Sequence, residues 1–474
     1  MSERPQWLRA SGRAVVGLAI TVAAVGAVVA VGTITLPAIS RGAVAMTVDT
    51  SQGAGRDLSC AGPFMELGVD PSRPGASMPT GAAELSIAGE PGESRTLTTE
   101  AGDNAATVVT AASADELLAA AQVQRIDTES LAGIAASACG EPANEQWLVG
   151  GDTRLGTSTT LTVGNPGDVA ATVRISLFDE AGPVDEVQSA GVLVPAGSQR
   201  TVSLNGYAPD RAQLAARVLS TGAAVTATLG VAQTRDITPV GVDTVMAQFS
   251  PSQMLAFPGV TRTSDDAQTA TDAHDMDEFP VTVRVLAPGA TDGTVEIRAV
   301  DADGSSTVVG QTTLTAGVVS ETVIEHWDAA FGGLVVTADV PVIGGVRGTA
   351  VVGRAHDLVW FSPAGVINAG ETIAVPIVDA PGVSMTLLDT GTTGAEVAVS
   401  RQPDAGLLGL AKPTLVRVPA GAAIEVPVER GRALTLVSDA PIHASVTMVE
   451  GPGIAAYAIE PPRERAGTLT VYPR

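Results

Sequence analysis

The chain has 474 residues, 16% of them charged, and a formal net charge of −24. So acidic a surface repels phosphate backbones and argues against a nucleic-acid partner. Aromatic residues make up only 3%, too few for a sugar cleft lined with stacking rings, while Ala, Val, Thr, Gly and 30 prolines suit many short strands joined by turns.

Arg4, Arg9 and Arg13 precede an uncharged run, Ala14 to Ser40, that ends at Arg41. A run of this length crosses a hydrocarbon core of about 30 Å as a helix. The arginine-rich flank stays cytoplasmic, so residues 1–13 are expected inside and everything after Arg41 outside. The alternative is a cleaved leader, with Ala43-Val44-Ala45 offering a small-residue site near Ala45. Either way the roughly 430 residues that follow are extracytoplasmic and too many for one core. Cys60 and Cys139 are the only cysteines. In an oxidising compartment they are expected to pair.

Residues 46–146 read as a small mixed α/β domain around that disulfide. Strand-like runs occur at Glu84–Ala88, Arg95–Thr99 and Ala106–Thr110. Ser113-Ala114-Asp115-Glu116 has the form of a capping box, and Leu117-Leu118-Ala119-Ala120-Ala121 supplies helix formers behind it. A second short helix is expected near Leu131–Ala138, carrying Cys139.

From Trp147 the chain repeats itself about every 100–120 residues, a period that suits whole sandwich domains. A proline-glycine turn recurs at Asn165-Pro166-Gly167, Ala287-Pro288-Gly289 and Ala380-Pro381-Gly382. A small-residue turn recurs at Pro195-Ala196-Gly197, Thr315-Ala316-Gly317 and Pro419-Ala420-Gly421. Phe249-Ser250-Pro251 and Phe361-Ser362-Pro363 close the first two units, and Tyr457 to Pro461 closes the last. Within units, Val173, Ile175 and Leu177 alternate with Arg174 and Ser176, as half-buried strands do. The expected fold is mainly β: tandem immunoglobulin-like β-sandwich units over 147–250, 251–362 and 363–474, in a row, after one N-terminal transmembrane helix (14–40) and the disulfide domain. Thr263 to Glu278, with six acidic residues and His274, reads as a solvated insertion.

The turn motifs, together with Trp147-Leu148-Val149-Gly150-Gly151, Cys60-Ala61-Gly62-Pro63 and Ala138-Cys139-Gly140-Glu141-Pro142, carry a resemblance. The chain is similar to actinobacterial envelope proteins of unknown function that have one amino-terminal anchor and a long extracytoplasmic region. The resemblance implies a compartment and no catalytic residues.

No G-x-S-x-G, H-E-x-x-H, phosphate-binding P-loop or dinucleotide fingerprint occurs. The histidines, His274, His326, His356 and His443, are scattered and read as surface or turn residues. Asp272, Asp275, Asp277 and Glu278 are the weak candidates for a hard cation, without the spacing of a calcium loop. Asp301-Ala302-Asp303-Gly304 reads as a hairpin turn. No cofactor is expected. The sequence thus favours a non-enzymatic, membrane-anchored scaffold or binding module of the cell envelope. Its partners are envelope proteins or cell-wall polymers. The alternative is an envelope carbohydrate-active enzyme with two carboxylates brought together by folding.

Overall fold

Alternating apolar residues become strands because each strand hides one face against a second sheet. In Ala171–Asp179, Ala171, Val173, Ile175 and Leu177 are buried while Thr172 and Arg174 face solvent. The computed structural model describes residues 15–27, 46–49, 56–68, 72, 77–99, 106–113, 116–184, 191–264, 280–402, 412–463 and 468–471. The chain divides into two compact units, one of residues 1–52 and 465–474, the other Gly53–Glu464.

In the first unit, residues 15–27 form a helix whose Val15, Leu18, Ile20 and Val22 side chains are exposed. Met46–Asp49 pairs antiparallel with Thr468–Val471, so the two ends of the chain share one ribbon. Among the described residues no helix is long and apolar enough to cross a membrane; the rest of the uncharged run lies outside them.

The second unit contains four lobes, each built from two sheets. In the second lobe the sheet Glu145–Val149, Ala215–Thr221, Ala171–Asp179 faces the sheet Ser198–Ser203, Thr157–Asn165, Thr226–Arg235, Thr238–Val245. Leu161, Val173, Val218 and Leu229 from both sheets share one core. The third lobe uses one long strand, Phe331–Val352, for both layers. Its first half pairs with Ser252–Pro258 and Gly293–Asp301, and its second half with Val281–Leu286 and Ala355–Phe361. The fourth lobe repeats the arrangement, with Gly453–Ala458 as its last strand.

The disulfide region is a reduced copy of the same plan, which corrects the mixed α/β reading. Its described residues hold strands, in two three-stranded sheets and a hairpin. Ala119–Asp127 is a strand between Glu84–Ala88 and Ala132–Ala138, where a helix was expected from propensity. Tertiary pairing overrides that weak preference. Ala120, Ala121 and Val123 are buried, and small side chains fit a strand covered on both faces. The Glu116 amide donates to the Ser113 carbonyl at 3.4 Å. Leu131–Ala138 is likewise extended, as the strand Ala132–Ala138. Gln122 and Gln124 accept hydrogen bonds from the Gly62 and Phe64 amides, at 3.0 and 2.7 Å. They hold the segment Gly62–Phe64 against this sheet.

Cys60 and Cys139 are bonded, as the sequence predicts. The bond ties the outer sheet to the last inner strand within a core that includes Leu58, Val109 and Leu118. Its partners are 79 residues apart, so loss of the bond costs about 4 kcal/mol in the chain-entropy model. Cys60→Ser with Cys139→Ser is expected to lower the denaturation midpoint accordingly. An unchanged midpoint under urea would refute this role.

The lobes do not follow one another in a row; they close a ring. The last inner strands, Ala132–Ala138, Thr238–Val245, Ala355–Phe361 and Gly453–Ala458, pack in cyclic order around a common centre. The matching position is glycine in three of them, Gly133, Gly241 and Gly453, and aspartate in the third lobe, Asp357. A Cβ on any of the three would come within 3 Å of a neighbouring inner strand. A Cβ on Gly241 would stand 2.7 Å from Asp357 Oδ1, and one on Gly453 2.6 Å from Ile134 Cδ1. The residue after that position donates its amide to Asp357 in every lobe. Leu358 and Val242 reach Oδ1 at 2.9 and 3.2 Å. Ile134 and Ile454 reach Oδ2 at 2.9 and 3.0 Å. One carboxylate therefore fastens all four lobes.

Candidate ligand-binding cleft

Where the first, second and fourth lobes meet, the strands leave a cleft beside the disulfide. It holds about 80 Å³ of accessible space; on this measure one water needs roughly 10–15 Å³, so a short aliphatic chain or a ring fits. Its walls are apolar. Leu58, Leu118 and the disulfide come from the first lobe, Met246 and Phe249 from the second, and Ile373, Pro376, Tyr457 and Ile459 from the fourth.

Most polar side chains lining it are already spent on the fold. Gln199 accepts from the Ala106 amide at 2.8 Å and donates to the Ala61 carbonyl at 3.2 Å. Gln146 donates to the Val225 carbonyl at 2.7 Å and accepts from the Ala227 amide at 3.1 Å. The Tyr457 hydroxyl donates to the Pro376 carbonyl at 2.6 Å, and burial pushes its pKa up. The Ser59 hydroxyl is the exception: it is buried and has no partner among the described residues.

Charge gathers where the two ends of the ring's chain meet. Glu141 stands between Arg56 and Arg463, with N–O separations of 3.5 and 3.7 Å. Arg56 also donates to the Leu118 carbonyl. Arg463 donates to the Pro142 carbonyl at 2.6 Å and lies 4.2 Å over the Phe249 ring. Burial lowers the Arg463 pKa, and Glu141 followed by Glu460 opposes it. The arrangement offers an apolar slot with two guanidinium groups in its lining.

A family model described as a family of unknown function, DUF5719, matches residues 96–427. The chain belongs to that family. The DUF5719 match starts in the disulfide lobe and ends in the fourth, so it spans parts of all four lobes. No curated protein matches the chain in sequence.

The residues singled out from the sequence fall elsewhere. Asp272, Asp275, Asp277, Glu278 and His274 lie outside the described residues. Among the described residues no group of three or more His, Cys, Asp or Glu side chains could hold a metal. Asp301 to Gly304 forms a hairpin turn, with Gly304 at φ +87° and the Ser305 amide donating to Asp303 at 2.9 Å. His443 corrects the surface reading. It is buried in the strand His443–Glu450, its Nδ1 is 2.9 Å from the Ala364 carbonyl, and burial lowers its pKa. The cleft went unseen because Arg56, Glu141 and Arg463 are far apart in sequence. The Cys60–Cys139 pairing was the one legible signal near it.

Proposed function

We propose that this DUF5719 chain is a non-enzymatic, membrane-anchored binding module of the actinobacterial cell envelope. In this reading Ala14–Ser40 is a retained anchor and the lobes are immunoglobulin-like sandwiches. The ring presents the three-lobe cleft to a segment of another envelope protein. The observation that carries the reading is the cleft itself, mainly apolar with Arg56 and Arg463 in its lining. A wall polysaccharide would need many free hydrogen-bonding groups, and Gln146, Gln199 and Tyr457 are all internally engaged. An apolar peptide segment needs shape and apolar area instead.

The test is photocrosslinking in the cells that make the protein, with a benzophenone amino acid at position 249. Covalent adducts to envelope proteins, lost when Arg463→Ala is added, are expected. Adducts to glycan alone, or turnover of a wall polymer by the purified chain, would overturn the reading.

A further inference from the structure

Another feature of the ring concerns a cation. Arg347 lies on the inner half of the strand Phe331–Val352, directly opposite Thr282 on one neighbour and Trp360 on the other. This face of the third lobe packs against the second; Leu286, Val319 and Ile343 share a cluster there with Trp147 and Val149. Arg347 is half-buried. Its Nε is buried and without a hydrogen-bond partner among the described residues, and so is the Thr282 hydroxyl. Two donors at paired positions of adjacent strands thus lack an acceptor among the described residues.

The nearby carboxylates are committed to other arginines. Glu321 holds Arg284, at 2.7 Å to Nη2 and 3.1 Å to Nε. Arg284 is otherwise saturated, by the Gly151 carbonyl at 2.5 Å and the Ala212 carbonyl at 3.2 Å, and its guanidinium lies 4.8 Å over the Trp360 ring. Asp152 accepts from the Arg154 amide at 3.1 Å and from Arg154 Nη2 at 3.5 Å. Arg347 feels Glu321, Arg284, Asp152 and Arg154. With Arg347 itself, three guanidinium groups face two carboxylates. Among these groups Arg347 is the guanidinium that neither carboxylate pairs. Burial lowers the Arg347 pKa and Glu321 opposes that shift, yet a guanidinium does not shed its proton in proteins. An anion would offset this permanent charge, whose Nε is buried without an acceptor and whose neighbouring carboxylates are already paired.

We propose that Arg347 and Thr282 form an oxyanion-binding site at the joint between the second and third lobes. The planar guanidinium fork suits two oxygens of a phosphoryl or carboxylate group, and the threonine hydroxyl donates to one of them. Trp360, the cross-strand neighbour of Arg347, reports occupancy. The site does not depend on the cleft, which the first, second and fourth lobes build on other residues.

The test titrates inorganic phosphate, acetate and a sugar phosphomonoester into the detergent-solubilised full chain at constant ionic strength. Melting temperature and tryptophan fluorescence are read. A saturable rise in melting temperature with a fluorescence change is expected from at least one of the three. Arg347→Gln should weaken that binding by about tenfold or more, as loss of charge-assisted hydrogen bonds does. Thr282→Val keeps the side-chain shape and should weaken it less, which keeps the test usable if Arg347→Gln does not fold. A response to phosphate alone assigns a phosphoryl group, and an equal response to acetate assigns a carboxylate. Tighter binding of the phosphomonoester than of phosphate means that the group arrives on a larger molecule. No saturable response in the wild type would overturn the proposal. So would an affinity left unchanged by Arg347→Gln or, where that variant does not fold, by Thr282→Val.

Discussion

Asp357→Ala is expected to destabilise the ring by about 5 kcal/mol or more, since each buried amide left without an acceptor costs roughly 1–3 kcal/mol. Four amides lose their acceptor at once, those of Ile134, Val242, Leu358 and Ile454. Burial raises the proton affinity of this carboxyl, and the four amides oppose it, those of Ile454 and Ile134 first. The geometry favours the ion. Each oxygen already accepts two N–H donors, so an added proton would have to displace one. Asp357→Asn is the sharper variant. It keeps one oxygen and turns an NH₂ group towards two amides that are themselves donors. About 3 kcal/mol of loss is expected from that mismatch. Equilibrium urea denaturation measures both. Because the carboxylate joins four lobes, the alanine variant should also broaden the transition or split it in two. Wild-type cooperativity and a loss below about 1 kcal/mol would show that the lobes hold together without this residue.

Much of the lobes was legible in the sequence, and little of the ring. Alternation in Ala171–Asp179 and Gly293–Asp301 marks half-buried strands because each faces a core on one side only. The inner strands carry no such mark. Ala132–Ala138 and Gly453–Ala458 are covered on both faces, so they show no polar–apolar alternation, and the Ala-rich first of them reads as helix. The signal that relates them was present: Gly-Ile-Ala-Ala-Ser-Ala at 133–138 and Gly-Ile-Ala-Ala-Tyr-Ala at 453–458 differ at one position. That match relates the disulfide region to the last repeat unit. Asp357 itself, after Ala355 and His356, resembles any acidic residue of a hairpin. Only folding reveals that three glycines and one aspartate occupy one level of the ring. The cleft was hidden for a related reason, since its rim joins residues from both ends of the ring's chain.

Asp243→Asn is expected to flatten a fall in stability that the wild type shows between about pH 5 and pH 8. Asp243 lies two residues beyond Gly241 on its inner strand and is fully buried. Its Oδ2 accepts the Trp360 amide at 2.5 Å, while Oδ1 has no partner among the described residues. Burial pushes its pKa up to about 8, and the amides of Trp360 and Thr244 pull the other way. In the unfolded chain the same carboxyl titrates near pH ~3.9. Between those values the folded chain keeps a proton that the unfolded chain has released. The stabilisation is therefore complete below about pH 4 and is lost as the pH rises through about 8, at up to roughly 1.4 kcal/mol per pH unit. Asparagine keeps an oxygen for the Trp360 amide and has no proton to lose. Melting temperatures measured from pH 5 to pH 9 should slope downwards in the wild type and far less in the variant. Parallel slopes would mean that Asp243 ionises as freely in the fold as outside it. A difference would locate a proton-dependent contact where the second and third lobes meet, on the strands that close the ring. Lobe packing there would then tighten on acidification, because the neutral acid is the form that burial accepts.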